Sequence, residues 1–217
     1  SERVNRVNFG RLAFAGNGCP DGTMRVAFAP DNLSFSILFD RFVAEIGEGK
    51  RGMDAMACNA VIPIELPENM RMEITRVDFR GFVSLPQGTA AVLNSMFNFA
   101  GPGGDRDRMN LRFNFSGPVM DNYTISTDAM NSASRFQDSE ISPCGGTVNL
   151  RVSNTLRVMA RANVSQAAQV TIDSIDGSGN AVYFVNWRAC TPGDNGGGGG
   201  GGGGLLPGPG HGRGGRR

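Results

Sequence analysis

From Met109 to Ser116 the chain alternates without a break: Met109, Leu111, Phe113 and Phe115 are apolar, and Asn110, Arg112, Asn114 and Ser116 are polar. A two-residue period sends successive side chains to opposite sides of an extended backbone. Such a segment therefore puts one face in a core and the other in water. A helix would spread the same residues around its circumference, and no segment of the chain shows a long helical stripe.

The period recurs along the chain. Strands are expected at Met24 to Ala29 and at Leu33 to Ala44, joined through the turn triplet Pro30-Asp31-Asn32. Ala60 to Leu66 follows, with Pro63 pointing to an edge or a bulge. Met70 to Leu85 is long and holds Gly81 between Phe79 and Phe82, where a bulge or strand break is expected. Ala90 to Ala100, the Met109 strand, Val148 to Met159, Ala168 to Ile175 and Ala181 to Arg188 complete the set. The one segment compatible with a short helix is Asp128 to Arg135. About ten short strands separated by turns predict an all-β fold: an antiparallel two-sheet β-sandwich, jelly-roll-like or Greek-key-like.

Three stretches differ in character. Residues 1–15 form an N-terminal arm, 16–190 the sandwich, and 191–217 a glycine-rich tail containing nine consecutive glycines from Gly196 to Gly204. A run without side chains has nothing to bury and much backbone entropy to lose, so the tail is expected to be a disordered tether. Hydrophobic residues make up 40% of the chain, enough for a core, and the formal net charge is +1. That balance argues against nucleic acid as a partner, which needs a concentrated basic face. No apolar run approaches the roughly 18 residues that cross a bilayer.

Four cysteines, Cys19, Cys58, Cys144 and Cys190, lie far apart with no C-x-x-C pair, which is the wrong spacing for a zinc ribbon or a redox site. An even count at long spacing reads as two disulfides in an oxidising, extracellular compartment. Three pairings are open. Cys19 with Cys58 and Cys144 with Cys190 is favoured because each pair closes one half of the chain. Secretion would then imply a leader already removed, with Ser1 as the mature terminus.

Several short patterns occur in a fixed order: Gly18-Cys19-Pro20, Ala29-Pro30-Asp31 leading into Phe35 to Phe42, and Ala57-Cys58-Asn59 followed by Ile64-Glu65-Leu66-Pro67. Val77-Asp78-Phe79-Arg80-Gly81-Phe82, Phe97-Asn98-Phe99-Ala100-Gly101 and Phe115-Ser116-Gly117-Pro118 come next. Ser142-Pro143-Cys144-Gly145 and Trp187-Arg188-Ala189-Cys190 close the series. Together these resemble a family of secreted fungal and bacterial proteins known as domain of unknown function 4360. The resemblance covers about residues 16 to 190 and implies an exported, disulfide-bonded β domain with no established chemistry. Where the family's aromatic pairs are often tyrosine, this chain has Phe79, Phe82, Phe97 and Phe99.

Catalytic groups are sparse. The single histidine, His211, lies in the tail, where no scaffold positions it, so Ser-His, Cys-His and histidine-metal chemistry have no base. Paired carboxylates remain as a route, and Asp40, Glu45, Glu65, Glu73 and Asp78 fall on expected strands. They read better as strand-face charges balanced by arginines, with Asp78 and Arg80 on one face as an ion pair. Asp173, Asp176, Ser178 and Asn180 offer oxygens for calcium, but Asp-Gly-Ser-Gly-Asn is an ordinary hairpin turn. No enzyme, metal or cofactor is expected. Four Asn-x-Ser/Thr sequons, at Asn32, Asn114, Asn122 and Asn163, are candidate glycan acceptors.

The arm carries Val4, Val7, Phe9, Leu12 and Phe14, more apolar weight than a disordered leader needs, with a break at Gly10-Arg11. Two placements follow: pairing within its own domain, or donation to the sheet edge of a neighbouring copy, which would propagate into a filament. The sequence accordingly points first to a secreted, self-assembling structural subunit of a fibre or surface layer, linked by that strand. The alternative is a monomeric carbohydrate-binding module using loops such as Gly101 to Arg108.

Overall fold

A computed structural model describes residues 4, 7–100, 108–128, 140–172 and 180–192. These hold strands and no helix. In chain order the strands are β1 (Asn8–Phe9), β2 (Ala13–Ala15), β3 (Met24–Phe28), β4 (Ser34–Phe39), β5 (Val43–Ile46), β6 (Gly52–Leu66) and β7 (Met70–Leu85). They continue as β8 (Thr89–Phe99), β9 (Met109–Ser116), β10 (Val119–Asp128), β11 (Glu140–Ile141), β12 (Gly146–Ala160), β13 (Ala168–Thr171) and β14 (Asn180–Ala189). Asp128 closes β10, and the rest of the segment compatible with a helix lies outside the described residues, as does the tail beyond Pro192.

The strands form two antiparallel sheets. A six-stranded sheet runs β1-β6-β12-β8-β9, with β2 also on β6. An eight-stranded sheet runs β3-β4-β14-β7-β13-β5, with β10 and β11 also on β7. Alternation along each strand supplies the core between them: Ile62, Ile64, Leu93, Leu150 and Leu156 from one sheet meet Phe35, Ile37, Ile74, Phe79 and Trp187 from the other, all buried. Tyr183 on β14 joins the layers. Its ring stacks on Phe35 at 4.9 Å and meets Phe97 of the opposite sheet edge-on at 5.5 Å.

Three local expectations shift. The stretch Leu33 to Ala44 breaks into β4 and β5 around Asp40-Arg41-Phe42. Gly81 neither bulges nor breaks β7; the register slips instead opposite Phe184 and Val185, where Arg76 and Ile74 are the partners and Thr75 is extra. Pro63 sits inside a continuous β6–β12 ladder, opposite Asn149. Its carbonyl accepts from Gly10 N, so its missing N–H faces the arm. There the arm does break: β1 pairs at Ile64, β2 at Val61, and Gly10 to Leu12 pass the proline between them.

Disulfides join Cys19 to Cys58 and Cys144 to Cys190. The first ties the chain after β2 to the middle of β6. The second ties the approach to β12 to the end of β14, and so one sheet to the other.

Candidate binding face

Strands β6, β12, β8 and β9 lie side by side and in register. Arg151 of β12 stands between Val61 of β6 and Asn98 of β8, and Ser153 stands between Asn59 and Met96. Since alternate residues face the core, these are the outward positions of the six-stranded sheet. With Arg108 at the entry to β9 they line a groove of about 380 Å³. Ser153 Oγ donates to Asn59 Oδ1 at 2.7 Å, which fixes that amide and leaves its Nδ2 donors for another partner. Val61, 38% exposed, adds an apolar patch. The groove combines amide, hydroxyl and guanidinium groups around small apolar surface, and among the described residues that line it none is a carboxylate, histidine or cysteine.

Carboxylates concentrate on the other sheet, in fixed ion pairs. Asp78, nearly fully buried, takes two bonds from Arg76, at 2.8 Å and 2.6 Å, with Arg80 at 3.9 Å. Burial alone would raise its carboxyl. Hydrogen bonds from Arg76 and Ser126 and the charges of Arg76 and Arg80 outweigh that and hold it below the usual 3.8. Arg76 in turn lies over the Phe184 ring at 4.6 Å. Glu73 accepts two bonds from Arg188, at 2.6 Å and 3.0 Å. Asp40 pairs with Arg25 at 3.4 Å, while Glu45 and Glu65 stand exposed on separate sheets. The five carboxylates foreseen on strands are thus dispersed, three of them held by arginines.

The other expected residues fall as follows. Asn114 on β9, Asn122 on β10 and Asn163 are exposed. Asn32 differs: it sits in the left-handed region at φ 56°, its Nδ2 donates to Val4 O at 2.9 Å, and its carbonyl accepts from Trp187 Nε1 at 2.8 Å. A glycan on that nitrogen would displace the bond to the arm. Asn180 opens β14, opposite Leu38 and Arg80, while Asp173, Asp176 and Ser178 lie outside the described residues. Of the Gly101 to Arg108 loop only Arg108 is described, and His211 is not. Among the described residues no cluster of His, Cys, Asp or Glu could hold a metal.

Of the two placements open to the arm, the structure holds the intramolecular one. Val4 is buried, and Val7, Phe9, Leu12 and Phe14 pack against the core of their own domain. The ring of Phe9 stacks on Phe28 at 4.3 Å and meets Phe35 edge-on at 5.8 Å.

The family described as a domain of unknown function (DUF4360) matches residues 5–190, taking in most of the arm. The chain belongs to this family. An "uncharacterized secreted protein" of Arthroderma benhamiae is 25% identical to this DUF4360 member over 188 residues, 86% of this chain and 73% of that protein. With both disulfides closed, the chain is a secreted, extracellular domain. A solved carbohydrate-binding module studied for specific mannan recognition aligns over 84% of this chain and 99% of that one, at 8% identity. Its TM-score of 0.25 is too low for the likeness to bear on fold or function.

Proposed function

We propose that this domain is a non-catalytic extracellular module that binds a glycan across the outer face of the six-stranded sheet. The carrying observation is the groove itself, where Arg151, Asn59, Ser153 and Asn98 gather hydrogen-bonding groups beside Val61 and Met96. Sugar hydroxyls both donate and accept, and their ring faces are apolar, which is the chemistry such a surface complements.

Affinity electrophoresis against a panel of soluble polysaccharides tests this. At least one polymer should retard the protein, and Asn59→Ala with Arg151→Ala should weaken retardation by about tenfold while leaving the melting temperature within a few degrees. Retardation that survives both changes would place binding elsewhere.

Self-assembly into a fibre or surface layer is the second reading, in which the arm that pairs here with β6 of its own chain would pair with a neighbour's. Negative-stain microscopy with sizing on one sample separates the two readings. A monomer is expected, and regular filaments would restore the structural role.

A further inference from the structure

We propose that Asn114 and Asn122 carry N-linked oligosaccharides, and that these guard the open strand edges on one flank of the sandwich against pairing with a second copy of the chain. The sugar here is covalent, and its place is independent of any glycan bound in the groove.

The fold treats the Asn-x-Ser/Thr sequons differently. Two of them lie wholly within strands: Asn114-Phe115-Ser116 on β9 and Asn122-Tyr123-Thr124 on β10. In each, the period of two turns the asparagine and the hydroxyl residue outward together, and Asn114, Ser116, Asn122 and Thr124 are all exposed. The aromatic residue between them turns inward, and the rings of Phe115 and Tyr123 meet with centroids 5.0 Å apart. The two sequons therefore stand back to back, one on the outer face of each sheet. Asn32-Leu33-Ser34 is built the other way round. Leu33 is exposed there, Asn32 and Ser34 are half-buried, and the Asn32 Nδ2 is committed to Val4 O at 2.9 Å. Asn163 is exposed but lies on the connection between β12 and β13, outside any strand.

Both sheets end on the flank that holds Asn114 and Asn122. Strands β9 and β10 are consecutive, joined through Gly117-Pro118. Among the described residues β9 pairs only with β8 and β10 only with β7, whereas β6, at the far side of the six-stranded sheet, is covered by β1 and β2. An open strand presents a row of backbone N–H and C=O groups to any other chain, and proteins blunt such edges with lysine, proline or a covering group. Strand β9 has neither lysine nor proline, and Arg112 is its one charged residue. A hydrated oligosaccharide beside each edge supplies the cover. To form the link, the asparagine Nδ2 bonds to the anomeric carbon of a lipid-linked oligosaccharide diphosphate. The anomeric C–O bond breaks, the diphosphate leaves with that electron pair, and the amide gives up one proton.

The full chain secreted from a yeast host provides the test. Peptide mapping after glycoamidase release in heavy-oxygen water reads occupancy at each asparagine. Asn114 and Asn122 should be occupied in most molecules and Asn32 in few. A bare Asn114 or Asn122, or an Asn32 occupied as fully as either, overturns the assignment. Sizing over a range of concentrations reads the guarding role. Ser116→Ala with Thr124→Ala keeps both asparagines and abolishes both sequons. That variant should form dimers at about tenfold lower concentration than the glycosylated chain, with an unchanged melting temperature. Enzymatic removal of the sugars from the folded protein should do the same, and it needs no variant to fold. Dimerisation no stronger than that of the glycosylated chain in either preparation overturns the guarding role.

Discussion

Gly81 shows how one residue type can be required by a neighbour and not by its own backbone. A Cβ at that position would fall on the carbonyl oxygen of Thr171 and 2.7 Å from the Tyr123 hydroxyl, which donates to that same carbonyl. Burial raises the Tyr123 hydroxyl above its ordinary value, so it stays a donor throughout the physiological range. Gly81→Ala should destabilise by about 3 kcal/mol through overpacking, measured by urea denaturation. Gly88→Ala, at φ +81° with nothing within 4 Å, is the comparison that isolates backbone strain, at about 1 kcal/mol. Asp78 makes the second residue-scale case. Its folded-state pKa lies below the unfolded one, so its contribution is present at pH above 3.8 and is lost as pH falls through the lower folded value. Asp78→Asn should therefore cost about 1–2 kcal/mol near pH 7 and flatten the acid limb of a stability-against-pH curve. A variant whose loss is the same at pH 7 and pH 2 would deny the ion pair that role. Sequence reading placed Asp78 and Arg80 on one face, but the closer partner is Arg76, two residues earlier.

At the scale of elements, the N-terminal arm is the segment whose place matters most. The arm was legible as a strand with a break, yet of its apolar residues only Phe9 and Phe14 lie on β1 and β2, and the break at Gly10-Arg11 is explained by Pro63, which has no N–H to give the arm. Which sheet would receive it was not legible, because an open edge on one's own domain and on a neighbour's copy present the same backbone groups. Packing decides: the Phe9 ring meets those of Phe28 and Phe35, both on the eight-stranded sheet, while its backbone pairs with β6. The arm thus spans the two layers. Phe9→Ala should cost about 2–3 kcal/mol in chemical denaturation, and removal of residues 1–15 should cost more and lower the melting temperature with no change in oligomeric state. A fully stable truncated monomer would show that these contacts hold nothing. The groove teaches the converse. Met96 and Arg151 fell on expected strands, while Asn59 lay before the strand expected from Ala60, and nothing local says that β6, β12 and β8 are neighbours, so the convergence of the three had no signal.

For the whole molecule, the disulfide between Cys144 and Cys190 joins the sheets at one end, beside Gly145 N bonding Met70 O and Cys190 N bonding Asn69 O. Replacing both cysteines by alanine should lower unfolding stability by about 4 kcal/mol in the chain-entropy picture, read as a shift in the urea midpoint. A loss near zero would mean that the ladder of β7 and β14 already fixes those ends. The amino-acid sequence by itself determined the strand content, the two-layer sandwich and the secreted class, because the two-residue period and the even, distant cysteines are local or countable properties; of the three cysteine pairings it left open, the structure closes the favoured one. Only the tertiary structure decided which strands became neighbours, where the arm docked, which arginines met acids and which face gathered a groove. Those outcomes depend on contacts between residues far apart in the chain, and a strand carries its periodicity in its own sequence but not the identity of its partner.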